Sequence, residues 1–93
     1  MEAPSIRHDD SGRRFSTRVD GHDAFLDYEL EGGVLAITHT LVPPEIGGRG
    51  IAARLVEAAL AHARGEHLKV RPRCSYAVAY LGRHHQYADL LAP

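Results

Sequence analysis

Alternation of apolar and polar residues in the first half of the chain predicts three β-strands. The strands are predicted at residues 14–19, around residues 24–30 and at residues 34–42. Asp20–Gly21 and Gly32–Gly33 fall between them and are typical of two-residue hairpin turns. The third strand is the richest in Val, Ile and Leu, which favours a central position in the sheet, and Pro43–Pro44 ends it.

In the second half the apolar spacing changes from every second residue to helical spacing, which predicts an amphipathic helix. Its apolar stripe consists of Ala52, Leu55, Val56, Ala59, Leu60 and Ala63. The helix is expected to end near Gly65, because glycine is common just beyond a helix C-terminus. A short strand, Leu68–Arg71, stops at Pro72, and a second, short helix is predicted from Ser75 or Tyr76 to about Arg83.

The predicted element order is therefore β-β-β-α-β-α. Two hairpins precede a β-α-β crossover, so the sheet is mixed and mostly antiparallel, with the last strand parallel to the third. The fold class is α/β in the broad sense, or α+β. Residues 1–13 contain few apolar side chains and are predicted to be a flexible leader, and residues 14–91 are predicted to form a single domain.

Composition narrows the function classes. With 93 residues, 44% of them hydrophobic, the chain suits one globular domain. The single cysteine excludes an internal disulfide and suits a reducing compartment. No apolar run approaches the length of about 20 residues that spans a bilayer, and the N-terminus does not resemble a signal peptide. We therefore expect a cytoplasmic protein. Residues 1–45 carry a net charge of −5 and residues 46–93 a net charge of +4, so the second half could attract a polyanion. No dense basic stripe with aromatic residues is present, which argues against nucleic acid.

The most informative stretch is the glycine-rich segment between the third strand and the first helix. A helix N-terminus offers unpaired N–H groups and a positive dipole end, which favour phosphate, although a flexible loop without a ligand explains the glycines equally well. The Gly-Lys-Ser/Thr of a P-loop is absent. Gly48–Ala53 matches the dinucleotide pattern GxGxxG/A, but antiparallel hairpins precede it, where a parallel sheet is required.

A third phosphate motif, the acetyl-CoA loop Arg/Gln-x-x-Gly-x-Gly/Ala, covers the segment from Gly47 to Ala52. Gly50 and Ala52 match it, Gly47 occupies the Arg/Gln place, and Arg49 could supply a charge instead. Together with this loop, further motifs resemble the short, YjdJ-type proteins similar to the GNAT N-acetyltransferases. They are Gly33–Val34, Ile37–Thr40, Val42–Glu45, Gly50–Ala52 and the tail Tyr80, His84 and Tyr87–Leu90. The resemblance spans roughly residues 14–91.

This resemblance implies a minimal GNAT-like fold that binds acetyl-CoA as cosubstrate. Pantetheine would enter a gap between the third and last strands and bond to the backbone near His39–Val42, and pyrophosphate would bind N–H groups between Gly47 and Ala53. The cofactor-binding residues expected on this basis are Thr40, Leu41, Val42, Gly47, Gly48, Arg49, Gly50, Ile51, Ala52, Ala53 and Tyr80.

Cys74 and His39 are the candidate catalytic residues. Cys74 lies between a strand end and a helix start, where the helix dipole stabilises a thiolate, and Arg71 and Arg73 could add to this. The resemblance implies a Cys–His pair, in which His39 activates Cys74, Cys74 accepts the acetyl group and an amine then removes it. Cys74 could instead be a small buried side chain, and His39 a hydrogen-bonded rim residue.

Tyr80 and the histidines are two further candidates for a role in the site. In larger GNAT enzymes the last helix carries Asn-x-x-Ala-x-x-Leu-Tyr with the tyrosine as general acid; here Tyr80 stands one place early and is either that acid or a packed aromatic residue. The chain has seven histidines, and His84, His85 and Asp89 offer ligand pairs on a helix. Because no spacing typical of a zinc site occurs, no metal is predicted.

Two classes of function follow from the resemblance. The first is an acetyl-CoA-dependent N-acetyltransferase acting on an amine, either a small molecule or a protein. The second is a non-catalytic module that binds CoA or acyl-CoA, or a protein partner after loss of the CoA site. Exposed sheet edges in so small a domain allow either a monomer or a homodimer.

Overall fold

The structure, a computed structural model, describes residues 5–93. They form one five-stranded sheet in the order β1-β2-β3-β4-β5, together with two α-helices and two 3₁₀ segments. The strands are β1 (Arg7–Asp9), β2 (Arg14–Val19), β3 (His22–Glu31), β4 (Val34–Leu41) and β5 (Lys69–Pro72). The helices are α1 (Ile51–Gly65) and α2 (Ser75–Arg83), and the 3₁₀ segments are Pro44–Ile46 and His85–Leu90.

The sheet confirms the predicted mixed topology. The first four strands pair antiparallel in sequence order, and β5 pairs parallel with β4 after the α1 crossover. Gly32 and Gly33 both have positive φ, 56° and 81°, which is the backbone that a tight β3–β4 hairpin requires. The sheet has a single parallel pair within residues 5–93, so the dinucleotide-binding interpretation of Gly48–Ala53 is wrong.

The core lies between one face of the sheet and α1. The predicted helical stripe is buried from Leu55 to Ala63, and Ile51 extends it by one turn at the start of the helix. From the sheet, alternate residues of β3 (Ala24, Leu26 and Tyr28) face this helix, with Leu35, Ile37 and Val70. Burying each large aliphatic side chain contributes about 1.5–3 kcal/mol, which is why the helix stays on this face.

The N-terminal segment corrects one prediction. Residues 1–13 were expected to be a flexible leader, but Arg7–Asp9 forms β1 and pairs with β2. The first four residues lie outside the described part of the chain. The strand is short and polar, so no alternation marks it; its His8 ring stacks on Phe15, with ring centroids 4.1 Å apart. Long-range side-chain contacts of this kind are invisible in a local sequence pattern.

Neither helix of residues 5–93 is long and apolar enough to span a membrane.

Candidate functional site

Strands β4 and β5 separate halfway along β4 and leave a gap in the sheet. Their pairing ends where Ile37 faces Pro72, and the backbone N–H groups of Arg73 and Cys74 then both donate to the Ile37 carbonyl, at 2.9 and 3.2 Å. β4 continues to Leu41 without a neighbouring strand on that side among residues 5–93. Residues 38–41 therefore present part of their backbone hydrogen-bonding groups to the gap, which is where the family resemblance predicted pantetheine.

A bulge in β4 shapes the gap. Asp27 pairs with His39 but Tyr28 pairs with Ile37, so Thr38 is the extra residue, and its hydroxyl donates to the Asp27 carbonyl at 3.2 Å. A cavity of about 380 Å³ opens beside this bulge. It is lined by Phe25, Asp27, Thr38, His39, Thr40, Leu41 and Cys74. Both candidate catalytic residues therefore line the same cavity.

Cys74 is half-buried and caps the start of α2. Its backbone is extended, and its sulfur accepts the Ala77 N–H at 3.4 Å, so the sulfur lies at the positive end of the helix dipole. The Thr40 hydroxyl is also 3.4 Å from Sγ. The sulfur therefore contacts both the first turn of α2 and the side chain of Thr40. The Arg71 guanidinium, which was expected to stabilise a thiolate, donates to the Pro93 carbonyl at 3.4 Å.

His39 is exposed at the rim of the cavity. Its Nδ1 lies 3.3 Å from the Thr38 hydroxyl, so within residues 5–93 its ring is bonded to Thr38 and not to Cys74. A second cavity, of about 430 Å³, adjoins the first and shares Asp27, Thr38 and His39 with it. His39 thus stands between the thiol-containing cavity and a more polar one.

The glycine-rich segment is held in place by a residue that the sequence pattern did not single out. Ile46, in the 3₁₀ segment after β4, is fully buried and anchors the segment to the core. Gly48 and Gly50 each have φ of 77°, a conformation that favours glycine, and Gly50 is the N-cap of α1 without any side-chain cap. The first intrahelical bond is from Arg54 to the Gly50 carbonyl.

The start of α1 therefore offers unpaired N–H groups. The N–H groups of residues 51–53 precede the first helical hydrogen bond, and no acidic residue lies in the first turn. A Cβ at Gly48 or Gly50 would meet no atom within 4 Å, so there is open space beside these two glycines, directly before the helix. Arg49, expected to add a charge here, forms an exposed ion pair with Asp20 at 2.6 Å, so its guanidinium already has a carboxylate partner.

Tyr80 is buried and points at α1 instead of solvent. Its hydroxyl donates to Glu57 at 2.8 Å, and its ring stacks on His84, with centroids 3.9 Å apart. Burial, followed by the neighbouring Glu57 carboxylate, raises the pKa of Tyr80 far above its usual range. This environment suits the packed aromatic residue considered above, because such a phenol holds its proton and already has an acceptor.

We predict that Tyr80→Phe affects stability and leaves acetyl transfer unchanged. Loss of the bond to Glu57 should lower the free energy of unfolding by about 1 kcal/mol. An unfolded tyrosine ionises near pH 10 while folded Tyr80 stays neutral, so Tyr80 makes stability fall as the pH rises above about 10. Urea unfolding of both proteins at neutral and alkaline pH should show a shallower decline for Tyr80→Phe. A large loss of transfer activity would instead assign Tyr80 as the general acid.

The comparisons with known proteins agree with this geometry. The family model of the GCN5-related N-acetyl-transferases matches residues 14–90. The chain therefore belongs to the GCN5-related N-acetyltransferase family, which confirms the family expected from the sequence. Two curated relatives are Protein NATD1 of Mus musculus, 40% identical, and Protein NATD1 of Homo sapiens, 39% identical; each alignment covers 95% of this chain, and 84% and 82% of the relatives.

A solved structure supports the fold in the same way. The solution structure of a GCN5-like protein from Staphylococcus aureus matches with a TM-score of 0.77 and 28% sequence identity, over 99% of this chain and 91% of that one. The minimal GNAT-like fold is thus confirmed along nearly the whole chain.

Three residues of the cavity were missed by the sequence analysis: Phe25, Asp27 and Thr38. Phe25 and Asp27 alternate with the buried residues of β3, which did indicate that they lie on the opposite face. Their position beside His39 depends on the register of β3 against β4, and the bulge that sets this register has no sequence signature.

Proposed function

We propose that this protein is an acetyl-CoA-dependent N-acetyltransferase that transfers the acetyl group to an amine through Cys74 and His39. The observation that carries the proposal is the gap between β4 and β5, with a thiol and an imidazole at its cavity and an open helix N-terminus nearby along the chain. Membership of the GCN5-related family supports acetyl-CoA as the donor.

Acetyl-CoA would bind along β4 and the start of α1. Pantetheine is an extended chain with amide groups, and the unpaired edge of residues 38–41 can bond to it as a strand would. Pyrophosphate fits the N–H groups between Gly47 and Ala53, where the helix dipole and the glycine backbone favour a close anion. The thioester would then lie in the cavity that contains Cys74.

The proposed reaction has two steps. In the first, His39 removes the Cys74 proton, the sulfur attacks the acetyl carbonyl, and the bond to the CoA sulfur breaks. The CoA thiolate takes the proton from His39 and leaves, so the imidazole is neutral again. In the second, the amine attacks the acetyl-cysteine thioester, its proton passes to His39, and Cys74 leaves as the thiolate. His39 and Cys74 are bonded to Thr38 and Thr40 in this structure, so His39 must turn within the shared cavity to act.

The amine would approach from the polar cavity on the other side of His39. This cavity includes Asp9 and Glu29 as well as Arg13 and Arg14. The Gly12 N–H, and then the Ser11 hydroxyl, lower the pKa of Asp9. Its carboxylate can attract a cationic amine, which must release a proton to solvent before its nitrogen attacks. The free thiol of Cys74 suits a reducing compartment, which favours the cytoplasm.

A transfer assay tests this proposal. Purified protein is incubated with radiolabelled acetyl-CoA and a panel of primary amines, including polyamines, lysine and peptides with a free N-terminus. Acetylated amine should form at a rate proportional to protein concentration and fall to background with heat-denatured protein. CoA binding without transfer to any amine would favour the non-catalytic CoA-binding module. Absence of CoA binding would favour a protein-interaction module that has lost the CoA site, for which Gly47 in the Arg/Gln place of the motif is the supporting observation.

A further inference from the structure

The fold brings together two histidines and an aspartate, none of which lies near Cys74 in the sequence. His8 lies on β1, Asp10 follows it in the turn to β2, and His62 is near the end of α1. Their ligand atoms all lie within 4.8 Å of one another. The rings of His8 and His62 meet edge to face, with centroids 4.4 Å apart.

The surroundings of His8 fix its ring as a metal ligand requires. The ring stacks on the buried Phe15 with planes inclined by 5°, and its Nε2 is bonded to the hydroxyl of the buried Tyr28. In the tautomer with hydrogen on Nε2, His8 donates to Tyr28, and Nδ1 carries the free lone pair. Such a hydrogen bond from the second ring nitrogen is the usual way in which proteins orient a ligating histidine.

We propose that His8, Asp10 and His62 form a zinc site that ties β1 to α1. Two imidazoles and one carboxylate are a ligand set that suits Zn²⁺ and not Mg²⁺ or Ca²⁺, and a water would complete the tetrahedron. Zinc–ligand bonds of about 2.0–2.1 Å need ligand atoms a little over 3 Å apart. Asp10 is exposed, and its side chain can rotate to close the remaining distance.

The site links segments that the sequence keeps apart, so bound zinc stabilises the folded protein. At a zinc concentration about 100 times Kd, the melting temperature should rise by about 10 °C or more for a domain of this size. The end of β1 and the turn after it carry Asp9 and Gly12 of the polar cavity, and zinc would hold them against the core. This proposal does not depend on acetyl transfer.

The test is a titration of metal-stripped, tag-free protein with Zn²⁺ in competition with a chromophoric chelator. We expect one zinc per chain. Asp10→Asn and His62→Gln, each shown to be folded by circular dichroism, should bind at least about tenfold more weakly. The matched controls are His85→Ala, an exposed histidine outside the cluster, and Cys74→Ser, which removes the thiol; both should bind like the wild type.

Each result decides the matter. One-to-one binding that both cluster variants weaken, with NMR shifts of the His8 and His62 ring protons, supports the site. Three results would overturn the site. They are absence of zinc binding by the wild type, wild-type zinc affinity in Asp10→Asn and His62→Gln, and loss of zinc binding in either control. Asp10 is exposed and its side chain holds no other bond among residues 5–93, so Asp10→Asn should fold normally.

Discussion

Cys74→Ala is expected to lower acetyl transfer by about 100-fold or more, because it removes the group that would carry the acetyl intermediate. The same change deletes the sulfur that caps α2, at a cost of about 1 kcal/mol in the free energy of unfolding. Acetyl-CoA binding should survive, since the proposed pyrophosphate and pantetheine sites lie on α1 and β4. Initial rates of transfer to the amine that the wild type acetylates fastest measure the loss of activity. A thermal melt of each protein measures the loss of stability.

Cys74→Ser is the matched control for this prediction. Serine caps a helix at least as well as cysteine and keeps α2 in place, but its hydroxyl is a far weaker nucleophile. Both variants should therefore be inactive, and only the alanine variant should be less stable. Intact-protein mass spectrometry of the wild type with acetyl-CoA alone should reveal one added acetyl group on Cys74. Full transfer by Cys74→Ala would contradict the covalent route and leave direct attack by the amine.

Ala52→Glu at the start of α1 is expected to have opposite effects on stability and on acetyl-CoA binding. A carboxylate in the first turn interacts favourably with the helix dipole and should stabilise the fold by about 0.3–1 kcal/mol. The same charge repels pyrophosphate and competes for the unpaired N–H groups, so acetyl-CoA binding should weaken by about 10- to 100-fold. Ala52 is only partly buried, so the longer side chain can reach solvent.

Ala61→Glu is the control for charge alone. Ala61→Glu changes the net charge of the protein by the same amount as Ala52→Glu. Because Ala61 is exposed and lies near the C-terminus of α1, this variant should bind acetyl-CoA like the wild type. Equal weakening in both variants would show that a general charge effect, and not the helix N-terminus, governs binding. A stability gain without any loss of binding in Ala52→Glu would remove pyrophosphate from this position.

Much of the fold could be predicted from local patterns, because each pattern reports a burial that the structure contains. The alternation in β3 and the 3.6-residue stripe of α1 face each other across the core, and Gly32–Gly33 makes the predicted tight turn. β1 was missed because its stability comes from His8 on Phe15 and Tyr28, contacts between residues distant in sequence.

The site was only partly predictable for the same reason. The glycine-rich segment and Cys74 are recognisable because glycines and a helix start have local signatures. The separation of β4 from β5 was expected only from the family resemblance, and the bulge at Thr38 was not expected. Both follow from strand register, which no single segment encodes. The cluster of His8, Asp10 and His62 also escaped, since zinc motifs are recognised in sequence by short ligand spacings.

The most direct test of the central claim is a calorimetric titration of acetyl-CoA into the purified protein. The account predicts saturable one-to-one binding with Kd in the micromolar range, about −8 kcal/mol, and weaker binding to Ala52→Glu. Acetyl-CoA binding would be contradicted if folded protein gave no binding heat up to millimolar acetyl-CoA at each of two temperatures.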